Sequence, residues 1–207
     1  MSTRDNMLKM HTVDYHTAGE PFRIIVEGAP EVRGATVRER RLWAAANVDD
    51  IRRLLVNEPR GHADMYGCFV TPPDDAGADL GVVFFHNSGY STACGHGTIA
   101  LVTWALESGR LQGADGEIRV TVDAPSGRLI TWATMFDGDV RAVRFRNVPA
   151  FVHTLDLRVR RFLADVAYGG RCATPARTGS VVGLELSFSR PRSGSPAARP
   201  STRAGCS

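Results

Sequence analysis

The stretch Phe84-Phe85-His86-Asn87-Ser88-Gly89-Tyr90-Ser91-Thr92-Ala93-Cys94-Gly95-His96-Gly97-Thr98-Ile99-Ala100 decides how the rest of the sequence is read. A short apolar strand runs into a loop of small polar residues, and the loop delivers Cys94 at the mouth of a helix. The helix is expected to run to about Ser108 and to stop at Gly109, a usual C-terminal stop signal. Its middle, Ile99 to Leu106, is apolar in nearly every direction, which marks a buried helix rather than a surface one. A thiol at such a start meets backbone N–H groups that the helix does not use and the positive end of its dipole. Both favour the thiolate, the reactive form.

Most free cysteines are inert packing, and that is the plain alternative for Cys94. Its surroundings argue for more. Cys94 stands between a Gly/Ser/Thr loop and Gly95-His96-Gly97, where bare backbone lets a ligand come close. Three chemistries compete for the stretch. Gly95-x-Gly97-x-x-Ala100 fits a dinucleotide-binding turn, but there the glycines follow the strand directly, whereas here residues 86–93 intervene and no βαβ alternation surrounds them. His86, Cys94 and His96 are types that bind zinc, yet no paired ligand spacing supports a metal, and none is expected. The third is acid–base or nucleophilic work by a helix-start thiolate. In it the Gly95 and His96 N–H groups hold a carboxylate beside Cys94, an arrangement suited to removing a proton from the adjacent carbon. No Asn or Asp is evidently placed to orient a histidine, so a protease-like Cys–His pair is less favoured.

With 43% hydrophobic residues the chain can build a real core. The formal charge of +3 is unevenly spread: residues 1–170 carry 19 Lys and Arg against 21 Asp and Glu, and residues 171–207 carry six Arg and one Glu. The body is near neutral and shows no basic face for nucleic acid. Four irregularly spaced cysteines, at 68, 94, 172 and 206, do not form a disulfide framework. No signal-peptide core and no long apolar run is present, so a cytoplasmic protein away from the membrane is expected.

In chain order, residues 9–16 and 22–26 read as strands around the turn His16-Thr17-Ala18-Gly19-Glu20-Pro21. That turn either presents His16 and Glu20 to a site or is an ordinary hairpin connection, and spacing favours the connection. Residues 36–56 read as helix with a break at 47–50, Asn47 capping the second half, and Arg38 to Arg41 on a solvated face. Arg60, His62 and Asp64 are either a site or a polar turn. Residues 65–71 and 80–86 form a longer-loop hairpin, 117–124 alternates as a strand, and 128–135 with 140–145 make a hairpin around Asp137-Gly138. Residues 157–168 read as one more strand. Beyond Gly170 the Arg-, Pro- and Ser-rich composition reads as disordered, with only 181–188 able to pair as a strand.

Three segments in order, His16-Thr17-Ala18-Gly19-Glu20-Pro21, Glu58-Pro59-Arg60-Gly61-His62-Ala63-Asp64-Met65-Tyr66-Gly67 and the Cys94 stretch, together with Asp165-Val166-Ala167-Tyr168-Gly169-Gly170, resemble the proline racemase family over roughly residues 10–170. That family includes proline racemases, 4-hydroxyproline epimerases and trans-3-hydroxy-L-proline dehydratases. The resemblance implies an α+β, diaminopimelate-epimerase-like fold, in which mostly antiparallel strands wrap a central buried helix in each of two domains with the site between them. It implies no cofactor, a proline or hydroxyproline substrate, Cys94 as the base that takes the Cα proton, and Gly95 and His96 as the carboxylate-binding positions. A homodimer is one assembly compatible with it. A second residue on the other domain, Cys in racemases and epimerases and Thr in dehydratases, completes the family's chemistry. The loop HNSGYSTACGHG is most similar to the dehydratase version, with Ala93 standing where many members have Met.

These readings divide the chain into a first domain over 1–125, the start of a second over 126–170, and a basic, disordered or frame-shifted tail over 171–207. Neither Cys172 nor Cys206 has the context of the second family residue. The sequence is therefore expected to be truncated, to expose a face of its first domain and to show little or no turnover alone. A remnant that only binds a carboxylate is the competing functional class.

Overall fold

The computed structural model describes residues 8–159, 162–169, 174–175 and 185–189. In chain order the elements are β1 (His11–Thr17), β2 (Glu20–Glu27), α1 (Val37–Asn47), α2 (Asp49–Val56), β3 (Tyr66–Thr71), β4 (Leu80–His86), β5 (Gly89–Tyr90) and α3 (Gly95–Glu107). They continue as β6 (Gly116–Ala124), β7 (Gly127–Phe136), β8 (Asp139–Arg146), β9 (Phe151–Val159), β10 (Phe162–Tyr168), β11 (Thr174–Pro175) and β12 (Glu185–Ser189). One mixed sheet runs β1-β2-β3-β4-β6-β7-β8-β12, with β5 paired to β4, and a smaller sheet runs β11-β10-β9.

Most neighbours are antiparallel, as the hairpin signals predict. The two exceptions, β2 with β3 and β4 with β6, are parallel. Parallel neighbours need a crossover, and each has a helical one: α1–α2 for the first, α3 for the second. The crossovers pack on opposite faces. Phe22, Ile24, Cys68, Val82 and Phe84 join α3 in one core cluster. Their strand neighbours Ile25, Phe69, Val83 and Phe85 join α1 and α2 in the other. β4 is thus covered on both sides, which is why Leu80 to Phe85 reads as an unbroken buried run rather than an alternating one. α3 buries Ile99, Leu101, Val102, Trp104, Ala105 and Leu106, as its all-round apolar sequence requires.

Several expectations change. The 36–56 helix does break, but Val48 rather than Asn47 starts the second half, with no side-chain cap. Asn47 instead turns its amide back to the Trp43 carbonyl at 2.8 Å. The run Arg38–Arg41 is not wholly solvated. Arg40 is buried, donating to the carbonyls of Gly34, Ala35 and Pro72, and Arg41 donates to the Tyr90 carbonyl. Residues 157–168 are not one strand but parts of the β9–β10 hairpin.

The boundary expected at 125 falls inside a continuous sheet. β6 pairs with β7 from Gly116↔Met135 to Ala124↔Gly127, and Leu129, Ala133, Val143, Phe145 and Val148 share the α3 core. The smaller sheet begins only at Phe151, where Phe151, Val152 and Leu155 are exposed. The disorder expected over 171–207 lies outside the described residues apart from β11 and β12, and β12, inside the 181–188 stretch by all but its last residue, pairs antiparallel with β8. No helix among the described residues is long and apolar enough to cross a membrane.

Candidate active site

Cys94 is the N-cap of α3, in extended conformation at φ −151° and ψ 106°. The first intrahelical bonds start from its carbonyl, which accepts from the Thr98 N–H at 2.9 Å and the Thr98 hydroxyl at 2.8 Å. The Gly95, His96 and Gly97 N–H groups lie ahead of that first bond, at the positive end of the helix. Cys94 Sγ sits 3.7 Å from both Nδ1 and Nε2 of His96. The His96 ring is itself wedged edge-on between Tyr66, at 4.8 Å between centroids, and Phe22, at 5.9 Å.

Gly97 explains how these groups fit. A Cβ there would collide with the Phe22 ring, coming within 2.8 Å of Cζ, and would lie 2.9 Å from Cys94 Sγ. Only a bare backbone lets Phe22 close under the helix start while the thiol keeps its place. Cys68 lies in the same cluster, one strand away. Burial pushes its thiol well above the ordinary range and the charge on Cys94 adds to the effect, which leaves Cys68 an inert packing thiol.

The loop before Cys94 is clamped from the α1–α2 layer. Arg52, buried and paired with Asp49 at 2.6 Å, donates to the carbonyls of His86 at 2.7 Å and Asn87 at 2.6 Å. Arg41 donates twice to the Tyr90 carbonyl, and the Asn87 amide reaches the Val56 and His62 carbonyls. Further on, Ser91 Oγ donates to the Ala93 carbonyl at 2.6 Å and the Ser126 N–H donates to the Thr92 carbonyl at 3.0 Å.

Cys94, Gly95 and His96, the three residues expected at the site, line one cavity of about 470 Å³. Glu20, Tyr66, Leu129, Phe145 and Asn147 complete much of its wall. Tyr66 escaped the sequence reading as a site residue. It arrives because β2 and β3 pair in parallel with Phe22 opposite Tyr66, and chain order does not announce that pairing. His16 is directed elsewhere, to a small cleft against Thr103 and Arg141. Arg60, His62 and Asp64 belong to a polar turn whose Arg60 and His62 carbonyls accept from Arg23 and Asn87, and none of the three lines the Cys94 cavity. His86 caps the Ser88 N–H and stacks on Tyr66, and no metal-holding group of His, Cys, Asp or Glu occurs among the described residues.

Comparison with known proteins bears on this geometry. The chain is 45% identical over 163 residues to a trans-3-hydroxy-L-proline dehydratase of Bacillus cereus, covering 77% of this chain and 49% of that protein. It is 47% identical over 167 residues to a 3-hydroxyproline 2-epimerase of Burkholderia multivorans, covering 78% and 50%. Among solved structures, a hydroxyproline epimerase from Agrobacterium vitis with bound trans-4-hydroxy-L-proline superposes with a TM-score of 0.71 at 28% identity, covering 78% of this chain and 49% of that one. The chain thus spans about half the length of the curated relatives it matches. The family model described as proline racemase matches residues 12–179, a match that takes in the β1–β2 turn, the β3 wall and the Cys94 loop, and the chain belongs to the proline racemase family.

Proposed function

We propose that this chain supplies one half of a cofactor-independent site that removes the Cα proton of proline or a hydroxyproline, with a trans-3-hydroxy-L-proline dehydratase as the best reading of the whole enzyme. The observation that carries it is the placement of the Cys94 thiol at the start of α3, on the wall of a cavity that also exposes Gly95 and His96. The fold is diaminopimelate-epimerase-like. Its first domain extends to about Val148, the last buried member of the α3 core, and β9–β11 open the second.

The chemistry follows from the helix start. A substrate carboxylate set on the Gly95 and His96 N–H groups has its charge balanced by those groups and by the dipole. The Cys94 thiolate then takes the Cα proton and becomes a thiol, and the electron pair moves into the carboxylate as an enediolate. The same N–H groups hold the growing negative charge, the interaction that strengthens toward the transition state. In a 3-hydroxyproline the pair next forms a Cα–Cβ double bond, the Cβ–O bond breaks, and the hydroxyl leaves as water with a proton that, in the overall balance, is the one taken from Cα. In an epimerase a second acid on the opposite face returns a proton to Cα instead. The dehydratase reading is supported by the loop residues 86–97 and by the B. cereus relative; the B. multivorans relative supports 3-hydroxyproline epimerisation as the second reading. A cytoplasmic setting agrees with Cys68 and Cys94 both being free.

The test is calorimetry with pyrrole-2-carboxylate, a planar analogue of the deprotonated ring, together with NMR of L-proline in D2O. Binding plus deuterium exchange at Cα, with exchange abolished in Cys94→Ser, is the expected result. Binding without exchange reduces the chain to a carboxylate-binding protein, and no binding removes the site.

A further inference from the structure

Three rings stand in a row across the sheet beneath the start of α3. Phe22 is opposite Tyr66 in the parallel β2–β3 pair, and Tyr66 is opposite His86 in the antiparallel β3–β4 pair. Alternation along the strands puts the row on the α3 side, since Phe22 itself, Cys68 two residues after Tyr66 and Phe84 two residues before His86 all belong to the α3 core. The first two rings meet the His96 ring, at 5.9 Å and 4.8 Å between centroids. The third, His86, lies outside the wall of the Cys94 cavity, and Tyr66 joins it to the site: the two ring centroids are 5.2 Å apart, tilted by 41°. His86 is fixed at both of its ends. Its carbonyl accepts from Arg52 at 2.7 Å, and its Nδ1 accepts from the Ser88 N–H at 3.2 Å.

We propose that His86 is a positioning residue for proton transfer at Cys94: by backing Tyr66 it holds the His96 ring against the thiol, a role that rests on the reading of the Cys94 site above. The physical link is ring packing. Tyr66 meets His96 nearly edge-on, at 84°, so the tilt of Tyr66 decides where the His96 ring can sit. His86 limits that tilt from the far side. At the other end of the series Cys94 Sγ lies 3.7 Å from the two His96 nitrogens, close enough for a small rotation of the ring to change what the sulfur meets. Removing the His86 ring therefore alters the reactivity of the thiol, while its hydrogen bond to Ser88 serves the turn.

The experiment uses the full chain. It reads the rate at which iodoacetamide alkylates Cys94, by mass of the Cys94 peptide, and the NMR signals of the His96 ring protons, with urea denaturation alongside. Two variants separate ring from hydrogen bond. His86→Asn retains an acceptor for the Ser88 N–H and removes the ring, whereas His86→Phe retains a ring and removes the acceptor. His86→Asn is expected to slow alkylation about three- to tenfold, the size of one ring–ring contact, and to move the His96 signals. His86→Phe is expected to keep the rate within about twofold of the wild type. Unchanged rate and signals in His86→Asn overturn the proposal. A His86→Phe chain as slow as His86→Asn overturns it too, because it assigns the effect to the turn. Loss of the fold in His86→Asn leaves the test standing, since a folded His86→Phe chain with displaced His96 signals and slowed alkylation is by itself enough to overturn the proposal. Protection of wild-type Cys94 by pyrrole-2-carboxylate is measured first. Its absence sinks the underlying site and the proposal with it, whereas protection together with unaffected variants sinks the proposal alone.

Discussion

On the α3 face of the sheet the contacts around Cys94 are apolar and closely packed, with Phe22, Gly97 and Thr98 crowded against the helix start. On the α1–α2 face the loop that leads to Cys94 is held by charged and amide side chains, Arg41, Arg52 and Asn87, each reaching across to backbone carbonyls. Both faces fix the same stretch, 86–97, but their physics differs. Packing falls off within a fraction of an ångström and is indifferent to pH. The arginine tethers depend on charge and on fully used donors, and they fail when a partner is removed or neutralised. The first half of the loop is therefore positioned by charged and amide side chains, and the helix start by packing.

The largest expected effect lies on the packed face. Leu101, fully buried in α3, loses the packing of three carbons on truncation, and Leu101→Ala is expected to cost about 2–5 kcal/mol in urea denaturation. Leu55→Ala on the outer face, at 6% exposure and nearer the surface layer, is expected to cost less. Equal or reversed costs would break the contrast between the two faces.

Next comes the tether. Arg52→Met leaves the His86 and Asn87 carbonyls and the Asp49 carboxylate without their donor, at about 1–3 kcal/mol of stability. Arg52→Lys recovers only part, because an ammonium cannot serve the carboxylate and two carbonyls in one fork. If Lys restores full stability, the clamp is a point charge and not a fork.

Much of this arrangement is legible in the sequence. The unbroken apolar run Leu80–Phe85 and the all-apolar α3 announce a strand and a helix buried on every side, and Asp137-Gly138 announces its hairpin, with φ of 54° and 76°. Cys94, Gly95 and His96 do share a wall because they are neighbours on one helix start. The tethers were not legible. A cluster such as Arg38–Arg41 reads as a solvated face, and only the fold shows that Arg40 and Arg41 have backbone carbonyls within reach. Tyr66 is obscured for a related reason. A parallel pairing across two helices brings β3 beside β2, and local periodicity contains no record of non-local partners. Pro125-Ser126-Gly127 punctuates a hairpin as readily as a domain, and in the fold it joins β6 to β7.

Gly97→Ala sharpens the contrast at smaller thermodynamic cost. Alanine favours helix by about 1 kcal/mol, while crowding against Phe22 and Sγ costs about 1–3 kcal/mol. A small net destabilisation is expected, together with a clear change in the Cys94 alkylation rate. Unaltered alkylation at unaltered stability would show that the packed face has room the structure does not display.

The smallest effect is the pH dependence of the tether. The Arg52 hydrogen bond, with the Arg52 and Arg53 charges behind it, holds the Asp49 carboxyl below its ordinary value of 3.8. A depressed carboxylate contributes stability that is complete above the ordinary value and is lost as pH falls through the lower, folded value. Asp49 is 37% exposed, so solvent screening keeps the contribution within about 1 kcal/mol. Thermal unfolding of the wild type and of Asp49→Asn between pH 6 and pH 3 measures it. The wild type is expected to be the more stable at the upper end, with the gap closing on acidification. Asp75, held down in the same way by Arg128, titrates in both proteins and cancels in the difference. A gap that stays constant down to pH 3 would mean that Asp49 contributes through helix geometry and not through its charge, and the outer face would then be held by Arg52 and its carbonyls alone.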